Sequence, residues 1–139
     1  MPRKTKQKDS AREFAVAVAR IAKRDNCEDI VVLDLRGVSP ITDYFVIVTG
    51  TSDRQMRSVA DDIAAQGRKT GHKLWKMAGQ DTAEWIVMDF VDVVVHLFDE
   101  DHRRYYDLEL LWGEAPKVRW QARAPRKKPA EEENGGTRQ

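Results

Sequence analysis

Two periods of apolar and polar positions run along this chain, and the changes between them mark its elements. Ser10-Ala-Arg-Glu13 has the spacing of a capping box, in which two orphan amide donors are satisfied reciprocally at a helix start. Phe14, Ala17, Val18, Ile21 and Ala22 then form one apolar stripe, which predicts a helix over 11–24. Residues 25–29 are a polar break. Ile30 to Leu35 is an apolar run interrupted only by Asp34, the pattern of a strand buried on both faces. Gly37 and Pro40 punctuate a turn, and Tyr44 to Thr49 predicts a second buried strand. Ser52 and Gln55 repeat the capping spacing. Met56, Val59, Ala60, Ile63 and Ala64 give the next helical stripe, which Gly71 is placed to stop in the left-handed conformation. Residues 72–77 alternate only loosely and predict a third strand near a sheet edge.

From Trp85 onward the chain is rich in β-branched and aromatic residues without Pro or Gly, which predicts strands over 84–89 and 92–98. Their short link implies an antiparallel pair. Tyr105, Leu108 and Trp112 then fall on one face of a helix, which Gly113 and Pro116 end. The order α-β-β-α-β-β-β-α predicts an α/β domain of two or three layers around a five-stranded mixed sheet. The domain is expected over 10–116. Residues 1–9 read as a disordered basic N-terminus and 117–139 as a disordered charged tail, in which Val118 and Trp120 are the residues able to dock.

The length of 139 residues fits one domain, and no run approaches the ~18 apolar residues that span a bilayer. The N-terminus lacks the apolar core of a secretory signal; a bacterial cytoplasmic setting is expected, with an organelle homologue whose transit segment has been removed as the alternative. A single cysteine, Cys27, excludes an internal disulfide and reads as a passive residue. The net charge of +1 hides a segregation: residues 1–9 carry +3 and residues 117–139 carry +4, which leaves −6 on residues 10–116. An acidic body suits a basic protein partner better than a nucleic-acid backbone. The basic ends suit RNA contact or, as readily, mere solubilisation.

Few residues carry chemistry. Gly50-Thr51-Ser52, between a strand and a helix start, has the placement of an anion site, but also that of a turn and cap, and no phosphate-loop sequence accompanies it. Asp89 and Asp92 resemble a Mg²⁺-binding pair, yet a separation of three puts them on opposite strand faces unless a turn intervenes. An aspartate near a hairpin turn more often caps backbone. His72, His96 and His102 lack metal-ligand spacing, and His96, after three valines, reads as a hydrogen-bonded, partly buried histidine. Asp61 and Asp62 read as the solvated side of a helix. Trp75 and Trp85, beside Met77 and Met88 and near acidic residues, have the composition of a protein-binding patch. For Trp85 a core position and a surface position are equally compatible with the pattern.

Ile41-Thr-Asp-Tyr-Phe-Val-Ile-Val-Thr-Gly-Thr-Ser-Asp-Arg-Gln55, Ser58-Val-Ala-Asp61, Glu84-Trp-Ile-Val-Met-Asp89, Asp92-Val-Val-Val-His96 and Arg103-Arg-Tyr-Tyr-Asp-Leu-Glu-Leu-Leu-Trp112 follow one another in an order that closely resembles the ribosomal silencing factor, or Iojap-related, family. The resemblance covers roughly residues 12–115. It implies a nucleotidyltransferase-like fold without the catalytic constellation, no cofactor and no metal. It also implies binding to the large ribosomal subunit through ribosomal protein fourteen, steric blocking of subunit joining, translation reduced when nutrients are scarce, and, for several members, a homodimer in the free state. By motif match the partner-facing residues include Trp85 and Asp89; Met88, Asp92 and Trp75 extend the set. Two departures stand out. Ala78-Gly79 replaces a frequent Glu-Gly, and Asp89-Phe-Val-Asp92 replaces Asp-x-Gly-Asp, which removes a glycine from the hairpin turn and puts its geometry in question.

Overall fold

The elements fall in the order that the periodicity predicts, in a computed structural model that describes residues 2–105, 112 and 114–121. They are α1 (Pro2–Arg24), β1 (Glu28–Asp34), β2 (Tyr44–Thr49), α2 (Asp53–Thr70), β3 (Lys76–Ala78), β4 (Trp85–Asp89), β5 (Val93–Phe98) and α3 (Glu100–Tyr105). The strands form one sheet in the order β1-β2-β5-β4-β3. Every pairing is antiparallel except β2 with β5, which run parallel from Tyr44↔Val93 to Thr49↔Phe98. The connection between those two passes through α2, β3 and β4, ample for a parallel return. The sheet is thus mixed and five-stranded, as predicted.

Alternation along the central strands sorts side chains onto two faces. Tyr44, Val46, Val48, Val93, Val95, Leu97, Ile86 and Met88 share a core with Phe14, Ala15 and Val18 of α1 and Met56, Val59 and Ile63 of α2. Each fully buried aliphatic side chain there contributes about 1.5–3 kcal/mol. The opposite face buries Leu33, Ile47 and Phe98 with Ala115, and Phe45, Trp85 and Trp112 pack on them half-buried.

Ser52 caps α2 by accepting from the Gln55 amide at 3.1 Å, and the Gln55 side chain accepts from the Thr51 amide at 2.6 Å. Gly71 ends the helix at φ +83°. Both agree with the sequence reading. The first capping box does not form. Helix α1 runs through Ser10 from Pro2, a residue suited to the first helical position, across a lysine- and arginine-rich stretch of good helix formers. The segment predicted to be disordered over 1–9 is therefore helical from Pro2. Ser10 instead bonds the His72 ring at 2.8 Å. The third strand begins later than the predicted 72–77, because four residues after Gly71 are used in reaching the sheet edge. Leu108, on the predicted last helical face, lies outside the described residues.

The predicted tail boundary also moves. Asp34 donates to the Pro116 carbonyl and Val118 to the Val32 carbonyl, Lys117 bridges Leu33, and the Trp120 indole donates to the Ile30 carbonyl. Residues 116–120 thus lie along the free edge of β1, with Val118 buried.

Candidate functional site

The second sheet face is built by alternation. Trp85, Val87 and Asp89 point to it from β4, Val94, His96 and Phe98 from β5, and Phe45 from β2. Trp85 is half-buried, so it is neither a pure core residue nor a pure surface one. Its ring stacks on Phe98 with centroids 4.9 Å apart, and its Nε1–H donates to His96 Nδ1 at 3.1 Å. Phe45 meets His96 edge-on at 4.6 Å, and Trp112 meets Phe45 edge-on at 5.8 Å. Val87, Asp89 and Val94 remain partly exposed beside this aromatic group. Burial pushes the His96 imidazole down to about 4, so the ring is neutral at ordinary pH.

The five residues expected to face a partner do not form one cluster. Trp85 opens β4 and Asp89 closes it, about 13 Å away along an extended strand. Trp75, 68% exposed, donates its backbone amide to the Asp89 carbonyl, and exposed Asp92 follows in the same turn, so Trp75, Asp89 and Asp92 share the far end. Met88 is a correction. Its side chain is wholly buried in the core beneath the helices, because it falls on the opposite parity to Trp85. It lies behind the site, on the helix-covered side of the sheet.

Asp89 caps backbone, as an aspartate beside a turn does: its Oδ1 accepts from the Val91 amide at 2.7 Å. In that turn Asp92 donates back to the Phe90 carbonyl, and Val91 sits at φ +76°. An i→i+2 bond around a positive φ is the rare, strained γ-turn. The left-handed geometry that the family's glycine suits is therefore kept here by a β-branched residue.

The Gly50 turn is poorly suited to phosphate. It borders a cavity of about 300 Å³ whose lining includes the acidic residues Glu28, Asp53, Asp99 and Glu100. The cap already uses the Thr51 and Gln55 amides. Among the described residues no group of three or more His, Cys, Asp and Glu is placed to hold a metal ion. Asp99 caps α3 through the His102 amide and bonds the His102 ring, both at 2.8 Å, which raises the affinity of that imidazole for its proton. Burial, with Asp25 and Glu28 nearby, pushes the Cys27 thiol up to about 12, so it is a poor nucleophile. Asp62 is not simply solvated: it pairs with Arg24 at 3.1 Å and ties α2 to α1.

Sequence reasoning missed Phe45, Val94 and Trp112 as members of the face that carries Trp85, and His96 as the hydrogen-bond partner of Trp85. Their alternation was visible, but the cross-strand register that brings them together was not.

The family model described as ribosomal silencing factor during starvation matches residues 8–139. A ribosomal silencing factor of Bacillus subtilis is 48% identical over 89 residues, covering 64% of this chain and 75% of that protein. A crystal structure of a Chromobacterium violaceum protein superposes with a TM-score of 0.68 at 27% identity, over 84% of this chain and 93% of that one. A mouse protein named for mitochondrial assembly of the ribosomal large subunit is 30% identical over 95 residues, 66% of this chain and 42% of its own length.

Proposed function

The chain belongs to the ribosomal silencing factor family, and from that premise we propose that it silences translation by occupying the large ribosomal subunit. It docks on ribosomal protein fourteen, stands where the small subunit would join, and lowers translation when nutrients are scarce. It acts by occlusion and performs no bond chemistry. The free chain pairs as a homodimer, and it works in the bacterial cytoplasm. No helix among the described residues is long and apolar enough to cross a membrane.

The observation that carries this reading is the half-buried Trp85 on an aromatic and aliphatic sheet face, within a body of charge −6. An apolar centre with an acidic surround is complementary to a basic ribosomal protein. Trp85 is the anchor; Asp89, Asp92 and Trp75 extend the contact along β4 toward the hairpin. The name of the mouse relative, with its reference to the large subunit, supports the same target. The competing reading, a nucleotidyltransferase with phosphate at Gly50-Thr51-Ser52 and Mg²⁺ at Asp89 or Asp92, is opposed by the carboxylates at that turn and by the capping role of Asp89.

Sedimentation with purified subunits tests the proposal. The chain is expected to travel with the large subunit and to reduce joining; travel with the small subunit alone, or undiminished joining, rejects it. Trp85→Ala is expected to weaken large-subunit binding by ~2 kcal/mol or more, the usual effect of removing an anchoring tryptophan.

A further inference from the structure

Trp85 stacks on Phe98, and it donates a hydrogen bond from its Nε1–H to His96 Nδ1. The second contact also fixes the histidine. Because Nδ1 accepts, the proton of the neutral ring resides on Nε2. That Nε2 is buried and has no hydrogen-bond partner among the described residues, and His96 as a whole is only 7% exposed. Three valines lead up to it along β5, and Phe45 and Phe98 flank it. A leucine or valine would fill this place without stranding a buried donor. A buried unsatisfied donor lowers stability, and a chain tends to break a local rule of this kind where the residue serves something besides the fold.

We infer that His96 is the positioning residue of the partner surface, holding the Trp85 indole in one orientation before the partner arrives. This rests on the proposed reading of Trp85 as the anchor. The indole N–H is used inside the protein, so the partner meets the ring as an apolar and π surface and needs no acceptor for it. With the orientation set in advance, docking does not have to order a large aromatic side chain.

The test uses the full chain, purified bacterial large subunits as the probe, and five variants. His96→Leu is expected to weaken binding about tenfold, the scale of ordering one large side chain, while its urea midpoint stays level or rises. His96→Asn, whose Oδ1 can take the place of Nδ1, is expected to recover most of the affinity. Trp85→Phe removes the donor together with part of the aromatic surface and is expected to weaken binding at least as much; adding His96→Leu to it is expected to weaken binding no further, because the contact that His96 makes is already cut. In ¹⁵N spectra the Trp85 indole proton is expected to be exchange-protected in wild type and in His96→Asn, and to lose that protection in His96→Leu. A merely structural role for His96 would show as a lower midpoint with unchanged affinity, and overturns the inference. So does additivity in the double variant, which keeps the test available if His96→Leu misfolds. If Trp85→Ala loses binding while His96→Leu and Trp85→Phe do not, the inference falls and the proposed function stands. If the wild-type chain does not bind large subunits, or Trp85→Ala binds as well as wild type, both fall.

Discussion

Val91 offers the sharpest quantitative test of the structure. It sits at φ +76° in the hairpin turn, with its side chain 55% exposed. Left-handed backbone brings Cβ against the carbonyl oxygen and costs about 1–2 kcal/mol for a residue with a side chain, more for a β-branched one. Glycine escapes that penalty but gives up roughly 0.5–1 kcal/mol in added freedom of the unfolded chain. Comparing Val91→Gly with Val91→Ala isolates the backbone contribution, since both variants discard nearly the same partly exposed valine packing. At an ordinary position alanine is the more stable of the two. Here glycine should win, by ~0.5–1 kcal/mol, which is roughly 2–5 °C in melting temperature for a domain of this size. Urea unfolding of the two variants, with equal slopes, measures the difference directly. If Val91→Ala is as stable as Val91→Gly, the turn is not left-handed at Val91 and the account of the hairpin is wrong.

Other outcomes follow from particular contacts. Gly79→Ala would place a Cβ 2.0 Å from the Trp85 carbonyl oxygen at a backbone φ of +92°, so it should destabilise by ~3 kcal/mol or more, read as a lost or strongly lowered thermal transition. Truncation after residue 116 removes Val118 and Trp120 from the β1 edge and should lower stability by ~2–4 kcal/mol relative to truncation after residue 121. His96 links stability to pH with a definite sign. Its folded pKa is about 4, below the unfolded value near 6.5, so the unfolded chain takes up the proton first and stability falls as pH drops from about 6.5 to 4. His102 acts oppositely: its raised pKa adds stability that is present below the unfolded value and fades as pH rises through the folded one. The His96→Leu midpoint should therefore lose ~2–3 kcal/mol less than wild type across the acid limb; parallel profiles would refute the buried neutral ring.

Helix α2 was legible from the sequence because its signals are local: Ser52 with Gln55 at one end, Gly71 at the other, and an apolar stripe between. Strands β1, β2 and β5 were legible because Ile30 to Leu35, Tyr44 to Thr49 and Val93 to Phe98 are too apolar and too β-branched for any other role. The start of α1 was not, because Ser10 with Glu13 has capping chemistry, while the favourable propensities upstream carry the helix past it. The docking of residues 116–120 was equally hidden. Their composition is that of a loop, and what orders them is the unpaired edge of β1, a tertiary fact. Of the candidate surface, Trp85 and Asp89 were identifiable as residues but not as neighbours of anything. Met88 was misplaced by proximity in sequence, since adjacent strand residues point opposite ways. Pairing Val87 with His96 and Trp85 with Phe98 is what assembles the face, and register is set by the whole sheet.

The segment along β1 also imposes an order on biosynthesis. A ribosome delivers β1 early and residues 116–120 about eighty residues later. At ~5–20 residues per second, the interval is roughly 4–16 s, during which a nascent chain with most of its sheet already translated still shows a bare outer strand. Such an edge is the place where two unfinished chains would pair wrongly. Slowed translation between α3 and Pro116 should therefore favour aggregates joined through β1, and a chain whose covering segment arrives promptly should be spared them.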